Sequence, residues 1–205
     1  ARRGRGVVSD TKGEVMIKGQ KCLVVGSGIS GIGAMTLLHK MNAEIILFDE
    51  KQELEELKAK VPHGIVAECY VKTLPVEVME SLQVAVLSPG VPTDIPLVNT
   101  LREKGVEIIG EIELGFLNEK GKVAAITGTN GKTTTTTLVG EIMKAHYGEE
   151  KTFVVGNIGN PYTLEVMKTA KDTVTVGEIS SFQLETVNTF HPMVSAILNI
   201  TEDHL

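Results

Sequence analysis

The chain has 205 residues, of which 42% are hydrophobic and 22% are charged, a composition typical of a packed globular protein. Its formal charge of −6 gives no electrostatic reason to expect nucleic acid as a partner. Two cysteines are too few for a disulfide framework, and no apolar run approaches the ~18 residues of a membrane span. No secretory signal opens the chain, so we expect a cytoplasmic protein that makes no membrane contact.

The first half of the chain alternates short apolar runs with helical patterns. The run "KCLVVG" (21–26) predicts a buried strand, and the segment after it repeats its apolar residues at the helical period. Further strands are predicted at 44–50, 64–69, 84–90 and 106–110, and further helices at 52–60, 76–82 and 95–105. This order predicts a parallel sheet with helices on both faces.

A second series of elements begins at "KVAAITG" (122–128). A helix is predicted at about 131–146, with strands at 152–156, 173–179 and 195–200. The fold class is therefore α/β, with a Rossmann-like parallel-sheet domain followed by part of a P-loop-type α/β domain. The predicted divisions are a tail at 1–16, a first domain at 17–111 and a second domain at 112–205. Because the chain stops directly after a strand, we expect a fragment whose second domain is incomplete.

A glycine-rich loop follows the first predicted strand. Its sequence, "GSGISG" (26–31), matches the G-x-G-x-x-G fingerprint, and Asp49 lies at the end of the second strand. Glycines let the backbone approach a diphosphate, the helix N-terminus attracts its charge, and the acid can bind a ribose or a base. The motif alone leaves three alternatives open: a nicotinamide or flavin site, a site for another diphosphate such as a nucleotide-sugar, and a turn that binds nothing.

A second glycine loop, "ITGTNGKTT" (126–134), also lies between a strand and a helix. The pattern G-x-x-x-x-G-K-[ST] requires its first glycine where the chain has Ile126, and Gly128 stands two positions later. Successive loop N–H groups form an anion nest, Lys132 neutralises phosphate charge, and the Thr133 hydroxyl is a ligand suited to Mg²⁺. The predicted nucleotide-binding residues are Gly128, Thr129, Asn130, Gly131, Lys132, Thr133 and Thr134.

Polar side chains follow the later strands of the second series. Glu178 ends an apolar strand, and Asn157 lies in the turn "GNIGNP" after another. Asp203 and His204 follow the last strand. Since ligands of parallel α/β sheets bind at the carboxyl ends of strands, these groups should converge beside the Lys132 loop and complete a Mg²⁺ site. Taken singly, such an acid or histidine is more often a solvated or capping residue.

Several of these motifs resemble those of a known family. "TGTNGKTTT", "GNIGNP", "EISSFQLE" and "NITEDHL" occur in the same order in the Mur ligases, which add amino acids to the peptidoglycan precursor. That family has the shortened phosphate loop, with glycine at the position of Gly128. "SSFQL", "GSGISG" and "LSPGVP" (87–92) resemble the branch that adds D-glutamate. The likeness extends from about residue 17 to residue 205.

The resemblance implies roles for individual residues. Lys132, Glu178 and His204 would act in catalysis, with Thr133 and Glu178 on one Mg²⁺ and His204 on a second. Ile29 and Ser30 would hold the diphosphate of a UDP-sugar. The other implied substrate-binding residues are Asp49 at the uracil, then Ser88, Pro89, Gly90, Asn157, Ser180 and Gln183.

The activity implied is an ATP-dependent ligation of D-glutamate to UDP-N-acetylmuramoyl-L-alanine through an acyl phosphate, with ATP and Mg²⁺ as cofactors. The family pattern continues past residue 205 with a C-terminal domain that holds most of the D-glutamate site, so we expect these 205 residues alone to be inactive. Two rivals remain: an NAD(P)-dependent oxidoreductase, which leaves the second loop and Glu178 unexplained, and a non-catalytic nucleotide-binding module.

Overall fold

The computed structural model describes residues 17–201. The predicted tail (1–16) and the predicted ligand His204 lie outside this range. Five parallel strands form the first sheet in the order β3-β2-β1-β4-β5. The strands are β1 (Lys21–Val25), β2 (Glu44–Asp49), β3 (Ala67–Val71), β4 (Val84–Leu87) and β5 (Glu107–Gly110), and the helices between them are α1 (Ile29–Lys40), α2 (Leu54–Ala59), α3 (Val76–Ser81) and α4 (Pro96–Glu103).

Alternate residues of the central strand β1 pack on opposite faces of this sheet. Cys22 and Val24 belong to one buried cluster, together with Met35 of α1. Leu23 and Val25 belong to the other cluster, which includes residues of α3 and α4. Both faces of the strand are therefore covered, which explains its continuous apolar sequence. Burial raises the pKa of the Cys22 thiol to about 12, so this free cysteine is a packing residue.

The second sheet has four parallel strands in the order β7-β8-β6-β9. The strands are β6 (Lys122–Thr127), β7 (Thr152–Gly156), β8 (Val174–Glu178) and β9 (Val194–Ile197), with helices α6 (Lys132–Tyr147), α7 (Tyr162–Glu165) and α8 (Ser181–Leu184) and 3₁₀ turns at Glu149–Lys151 and Val166–Lys168. Strand β8 is buried along its whole length, whereas every residue of the edge strand β9 is exposed. The predicted α/β class with two parallel sheets is thus confirmed.

A short helix, α5 (Glu111–Leu117), joins the two sheets. Glu113 is 1% exposed, and its carboxylate accepts hydrogen bonds from the N–H groups of Asn188, Thr189 and Phe190 and from the Thr189 hydroxyl, at 2.6–3.0 Å. These donors lie in the segment before β9. Helix α5 is therefore held to the second sheet by the buried Glu113 carboxylate, each oxygen of which accepts hydrogen bonds from fixed donors.

Two more acids of this connection make similar contacts. Glu111 Oε1 accepts from both the N–H and the hydroxyl of Thr163 in α7, at 2.7 and 2.8 Å. Burial raises the pKa of the Glu111 carboxyl, against the opposing effect of these hydrogen bonds. Glu119, just after α5, accepts from the Tyr162 hydroxyl and the Thr175 hydroxyl, each at 2.8 Å.

Glycines permit the close approach of these elements. A Cβ atom added to Gly33 of α1 would lie 2.5 Å from the Thr163 hydroxyl, and one added to Gly115 would lie 2.7 Å from the Tyr162 ring. Side chains at these positions would push α7 away from α1 and α5. The small residues therefore set the distance between the first sheet and the second.

Some predicted boundaries differ from the structure. The strand predicted at 64–69 is observed at Ala67–Val71, because the chain turns at Gly64 with φ +86° and leaves Val66 exposed. Between the strand predicted at 106–110 and the one that begins at 122, where no element was predicted, the structure has helix α5. The short helices α7 and α8 were also not predicted. None of the helices within residues 17–201 is long and apolar enough to cross a membrane.

The contacts of α5 predict a large effect for Glu113→Gln. The amide nitrogen of glutamine would face N–H donors that now share a carboxylate, leaving at least one of them unsatisfied. We expect the free energy of unfolding to fall by roughly 2–4 kcal/mol. Urea unfolding followed by circular dichroism measures this change.

The matched control for this variant is Glu107→Gln, which makes the same change at an exposed residue of β5. It should alter the free energy of unfolding by less than about 0.5 kcal/mol. Equal urea midpoints for the two variants would contradict the role given to Glu113.

Candidate functional site

The first glycine loop joins β1 to α1 at the carboxyl edge of the first sheet. Gly26 has φ +96°, a conformation that favours glycine. A Cβ atom at Gly31 would lie 2.0 Å from the Gly26 carbonyl oxygen, so the turn also requires glycine there. At Gly28 a Cβ atom would meet nothing within 4 Å. Two glycines are therefore needed to close the turn, while the middle one faces open space that a ligand can enter.

Asp49, a predicted substrate-binding residue, is held by Ser27, for which no role was predicted. Ser27 is 3% exposed, and its N–H and hydroxyl both donate to Asp49 Oδ2, at 3.0 and 2.6 Å. The Lys60 ammonium donates to the Ser27 hydroxyl at 3.1 Å, and the Lys51 N–H donates to Asp49 Oδ1 at 3.0 Å. Partial burial raises the pKa of the Asp49 carboxyl, but these hydrogen bonds and the Lys60 charge outweigh it and leave the pKa below its usual value. Asp49 is thus an ionised, oriented acceptor.

A cleft of about 690 Å³ opens over this loop. The predicted substrate-binding residues that line it are Ile29, Ser30, Asp49, Ser88, Pro89, Gly90, Asn157 and Gln183. Asn157 follows β7 and Gln183 lies in α8, so the second sheet and its helices contribute to the walls of the cleft together with the first sheet. The predicted residue Ser180 is not among the lining residues. Its hydroxyl caps helix α8 instead, in a reciprocal pair of hydrogen bonds with Gln183 that fixes the Gln183 side chain.

The second glycine loop joins β6 to α6. Gly131 precedes α6 with φ +83°, a conformation that glycine adopts without strain and that lets the helix begin at Lys132. The Lys132 ammonium folds over the loop and donates to the carbonyl oxygens of Gly128 and Thr129, at 2.6 and 3.1 Å. Thr133, the predicted metal ligand, is exposed in the first turn. The loop, the lysine and the helix N-terminus together form an anion-binding geometry.

The segment after β9 holds this loop in place, which sequence analysis did not predict. Asn199 Oδ1 accepts from the Asn130 N–H at 2.9 Å, and Asn199 Nδ2 donates to the Asn130 carbonyl at 3.0 Å. The Thr129 hydroxyl donates to the Thr201 carbonyl and accepts from the Thr201 N–H, each at 3.1 Å. Asn199 lies within the quoted motif "NITEDHL", but nothing in its spacing indicated a contact 69 residues away.

Glu178 lies at the carboxyl end of β8, in register with Ile126, one residue before the end of β6, and with Gly156 at the end of β7. It is 1% exposed, and its Oε1 accepts from Asn157 Nδ2 at 2.9 Å. Its Oε2 is buried and has no hydrogen-bond partner within residues 17–201. A buried carboxylate oxygen without a donor is costly, and a cation beside the phosphate loop would satisfy it.

The oxygen atoms of Glu178 and Thr133 suit a hard cation that binds few protein ligands. In the described part of the chain, no three His, Cys, Asp or Glu side chains cluster to form a metal site from protein ligands alone. A cation at Glu178 and Thr133 would therefore draw its other ligands from phosphate and water oxygens, as Mg²⁺ commonly does. The structure thus brings the phosphate loop, Glu178 and Asn157 to one edge of the second sheet, as sequence analysis expected for strand-end groups.

Comparisons with family models match both parts of the chain. Residues 20–110 match the N-terminal domain of MurD-like Mur ligases, and residues 126–205 match the Mur ligase middle domain. The glycine loop and Asp49 lie in the first match, and the phosphate loop and Glu178 lie in the second.

Curated relatives are similar over nearly the whole chain. The UDP-N-acetylmuramoylalanine–D-glutamate ligase of Lachnospira eligens is 54% identical over 190 residues, covering 92% of this chain and 42% of the relative. The protein of the same name from Lachnoclostridium phytofermentans is 56% identical over 189 residues, covering 91% and 41%. The chain therefore spans about two fifths of the length of these relatives.

Solved structures show the same fold at low sequence identity. The UDP-N-acetylmuramate:L-alanyl-gamma-D-glutamyl-meso-diaminopimelate ligase from Neisseria meningitides is 16% identical, with a TM-score of 0.53 over 91% of this chain and 62% of that one. The murein peptide ligase from Psychrobacter arcticus is 15% identical, with a TM-score of 0.51 over 90% and 44%. Two domain models of one family together match most of the sequence, at residues 20–110 and 126–205, so the chain belongs to the Mur ligase family.

Proposed function

We propose that this chain is the UDP-sugar-binding and ATP-binding part of a ligase that joins D-glutamate to UDP-N-acetylmuramoyl-L-alanine. Relatives that are 54% and 56% identical bear the name of that activity. The observation that best supports the proposal is Glu178 Oε2, a buried carboxylate oxygen that has no partner within residues 17–201 and lies beside the strand that leads into the phosphate loop.

The cleft fits the UDP-sugar. A diphosphate would lie over the glycine loop near Ile29 and Ser30, where the backbone is accessible and the α1 N-terminus is close. Asp49, held ionised by Ser27, would accept a hydrogen bond from the uracil. The cleft continues to Asn157, which follows β7 of the second sheet, so the sugar and its L-alanyl group would point towards Glu178.

The proposed nucleotide site is the loop from Gly128 to Thr134, with Lys132 at the outer phosphates. Thr133 and Glu178 would hold Mg²⁺, and His204 is proposed for a second Mg²⁺. The metal would neutralise negative charge on the phosphates and raise the electrophilicity of the phosphorus atom. Lys132, now bonded to loop carbonyls, would exchange those bonds for phosphate oxygens when ATP binds.

The chemistry joins a carboxylate to an amine. The carboxylate of the L-alanyl group attacks the γ-phosphorus of ATP, ADP leaves, and an acyl phosphate forms. The amine of D-glutamate then attacks the acyl carbon, and phosphate leaves as the amide forms and the nitrogen loses a proton. Because negative charge concentrates on the transferring phosphoryl group, Lys132 contributes mainly by electrostatic stabilisation. This scheme needs no side-chain nucleophile.

A nicotinamide-dependent oxidoreductase is the second candidate, since the loop and Asp49 match its fingerprint. In such enzymes the acid accepts hydrogen bonds from ribose hydroxyls. Asp49 does not separate the two candidates, because Oδ1, which accepts only from the Lys51 N–H among residues 17–201, could accept from a uracil or from a ribose. The cleft, however, is also walled by Asn157 after β7 and Gln183 of α8. This second feature favours the ligase.

Lys132→Ala should reduce ligase activity of the full-length enzyme by ~10³-fold or more, because the transferring phosphoryl group loses its nearest fixed positive charge. Phosphate release in the presence of ATP, Mg²⁺, UDP-N-acetylmuramoyl-L-alanine and D-glutamate measures the rate. Lys144→Ala is the matched control, since Lys144 lies on the same helix and pairs with Glu141 at the surface. Activity of Lys132→Ala within a few-fold of the control would contradict the nucleotide site.

The cleft should bind UDP-N-acetylmuramoyl-L-alanine and not NAD⁺. Calorimetric titration of each ligand into this chain tests the choice, and heat from NAD⁺ alone would favour the oxidoreductase.

Asp49→Asn should weaken UDP-sugar binding by about tenfold, since a charged acceptor is lost and Ser27 loses its partner. Asp172→Asn, the same change at a surface ion pair with Lys151, should leave the affinity unchanged.

A further inference from the structure

The phosphate loop is docked on the segment that follows β9. Besides the side-chain bonds of Asn199, the Thr129 N–H donates to the Asn199 carbonyl at 3.2 Å. The packing is also tight, because a Cβ atom at Gly128 would lie 3.1 Å from Leu198 Cβ and 3.2 Å from the Asn199 backbone. The loop conformation therefore depends on residues far along the chain as well as on its own glycines.

These bonds divide the loop N–H groups into two sets. The N–H groups of Thr129 and Asn130 are both taken by Asn199, through its carbonyl oxygen and its Oδ1. The N–H groups of Lys132, Thr133 and Thr134 lie in the first turn of α6, where no carbonyl four residues earlier belongs to the helix. Unlike the N–H groups of Thr129 and Asn130, the second set is not taken by Asn199, and it begins at Lys132 itself.

We propose that Asn199 is a positioning residue for the nucleotide phosphates. Its side chain fixes the Asn130 backbone, occupies the Asn130 N–H, and so directs phosphate oxygens to the α6 N-terminus and Lys132. This inference rests on the proposed ATP site. It adds a residue that touches neither the proposed substrate cleft nor Glu178.

The chemistry of the contact requires an asparagine. The Asn130 backbone presents its N–H and its carbonyl oxygen to the same side chain, and only a carboxamide of this length offers both an acceptor and a donor. Aspartate would set a charged oxygen against the Asn130 carbonyl, and alanine would leave both groups to water. Asn199 is itself exposed, so its replacement removes no buried packing.

Asn199→Ala tests the proposal, with Asn188→Ala as the control. Asn188 is also exposed and precedes β9, but among the described residues its only hydrogen bond runs from its backbone N–H to Glu113. Hydrogen exchange at residues 128–134 should be about tenfold faster in Asn199→Ala, as expected when two net-favourable hydrogen bonds are lost. Mg²⁺–ADP should bind roughly fivefold or more weakly, while the affinity for UDP-N-acetylmuramoyl-L-alanine and the urea midpoint stay at the control values.

Unchanged exchange in the loop would overturn the proposal, and so would faster exchange with undiminished ADP affinity. Equal losses of both ligand affinities and of stability would also overturn it, because they would indicate a general structural role. If the unaltered protein bound no nucleotide, the proposed function would be contradicted. The exchange measurement needs no ligand, so it would still decide whether Asn199 holds the loop.

Discussion

The burial of Glu113 and Glu111 against the second sheet is the interaction on which the arrangement of the two sheets depends. A buried carboxylate is strongly destabilising unless donors surround it, and here fixed N–H and hydroxyl groups supply them. Such contacts are directional, because each donor must point at a lone pair. They therefore fix an orientation, which apolar packing alone does only loosely. Gly33 and Gly115 then allow α7 to approach within contact distance of α1 and α5.

This fixed arrangement creates the site. The cleft draws walls from both sheets, so it exists only while the sheets keep their relative position. Asn157 links the two halves of the proposed chemistry, since it lines the cleft and also donates to Glu178. In the proposed reaction, the carboxylate bound in the cleft must meet the phosphate held by the loop. Proximity of this kind can lower a barrier by roughly 7–11 kcal/mol, so holding the two sheets in place would itself contribute to the proposed catalysis.

Much of the fold was predictable because parallel α/β sheets have a strong sequence signature. Buried strands such as β1 read as short apolar runs, and the glycine loops mark where a strand turns into a helix. Less was predictable where tertiary contacts outweigh local preference. Helix α5 is short, and its glutamates read as surface residues although they are buried. Strand β3 begins later than its apolar run because Gly64 turns the chain first. The division into domains and the roles of the site residues remain predictions, as does the inactivity of these 205 residues alone.

The sequence by itself determined the class of fold, the two glycine loops and the strand-end position of Glu178, because these depend on local spacing and on the rule that parallel strands end at one edge. Only the tertiary structure decided which partners hold those groups. Ser27 orients Asp49, and Asn199 holds the phosphate loop through a contact between residues 69 positions apart. Local sequence cannot specify such pairings, because a serine or an asparagine has the same hydrogen-bonding groups everywhere. The fold determines which of those groups come within reach of one another.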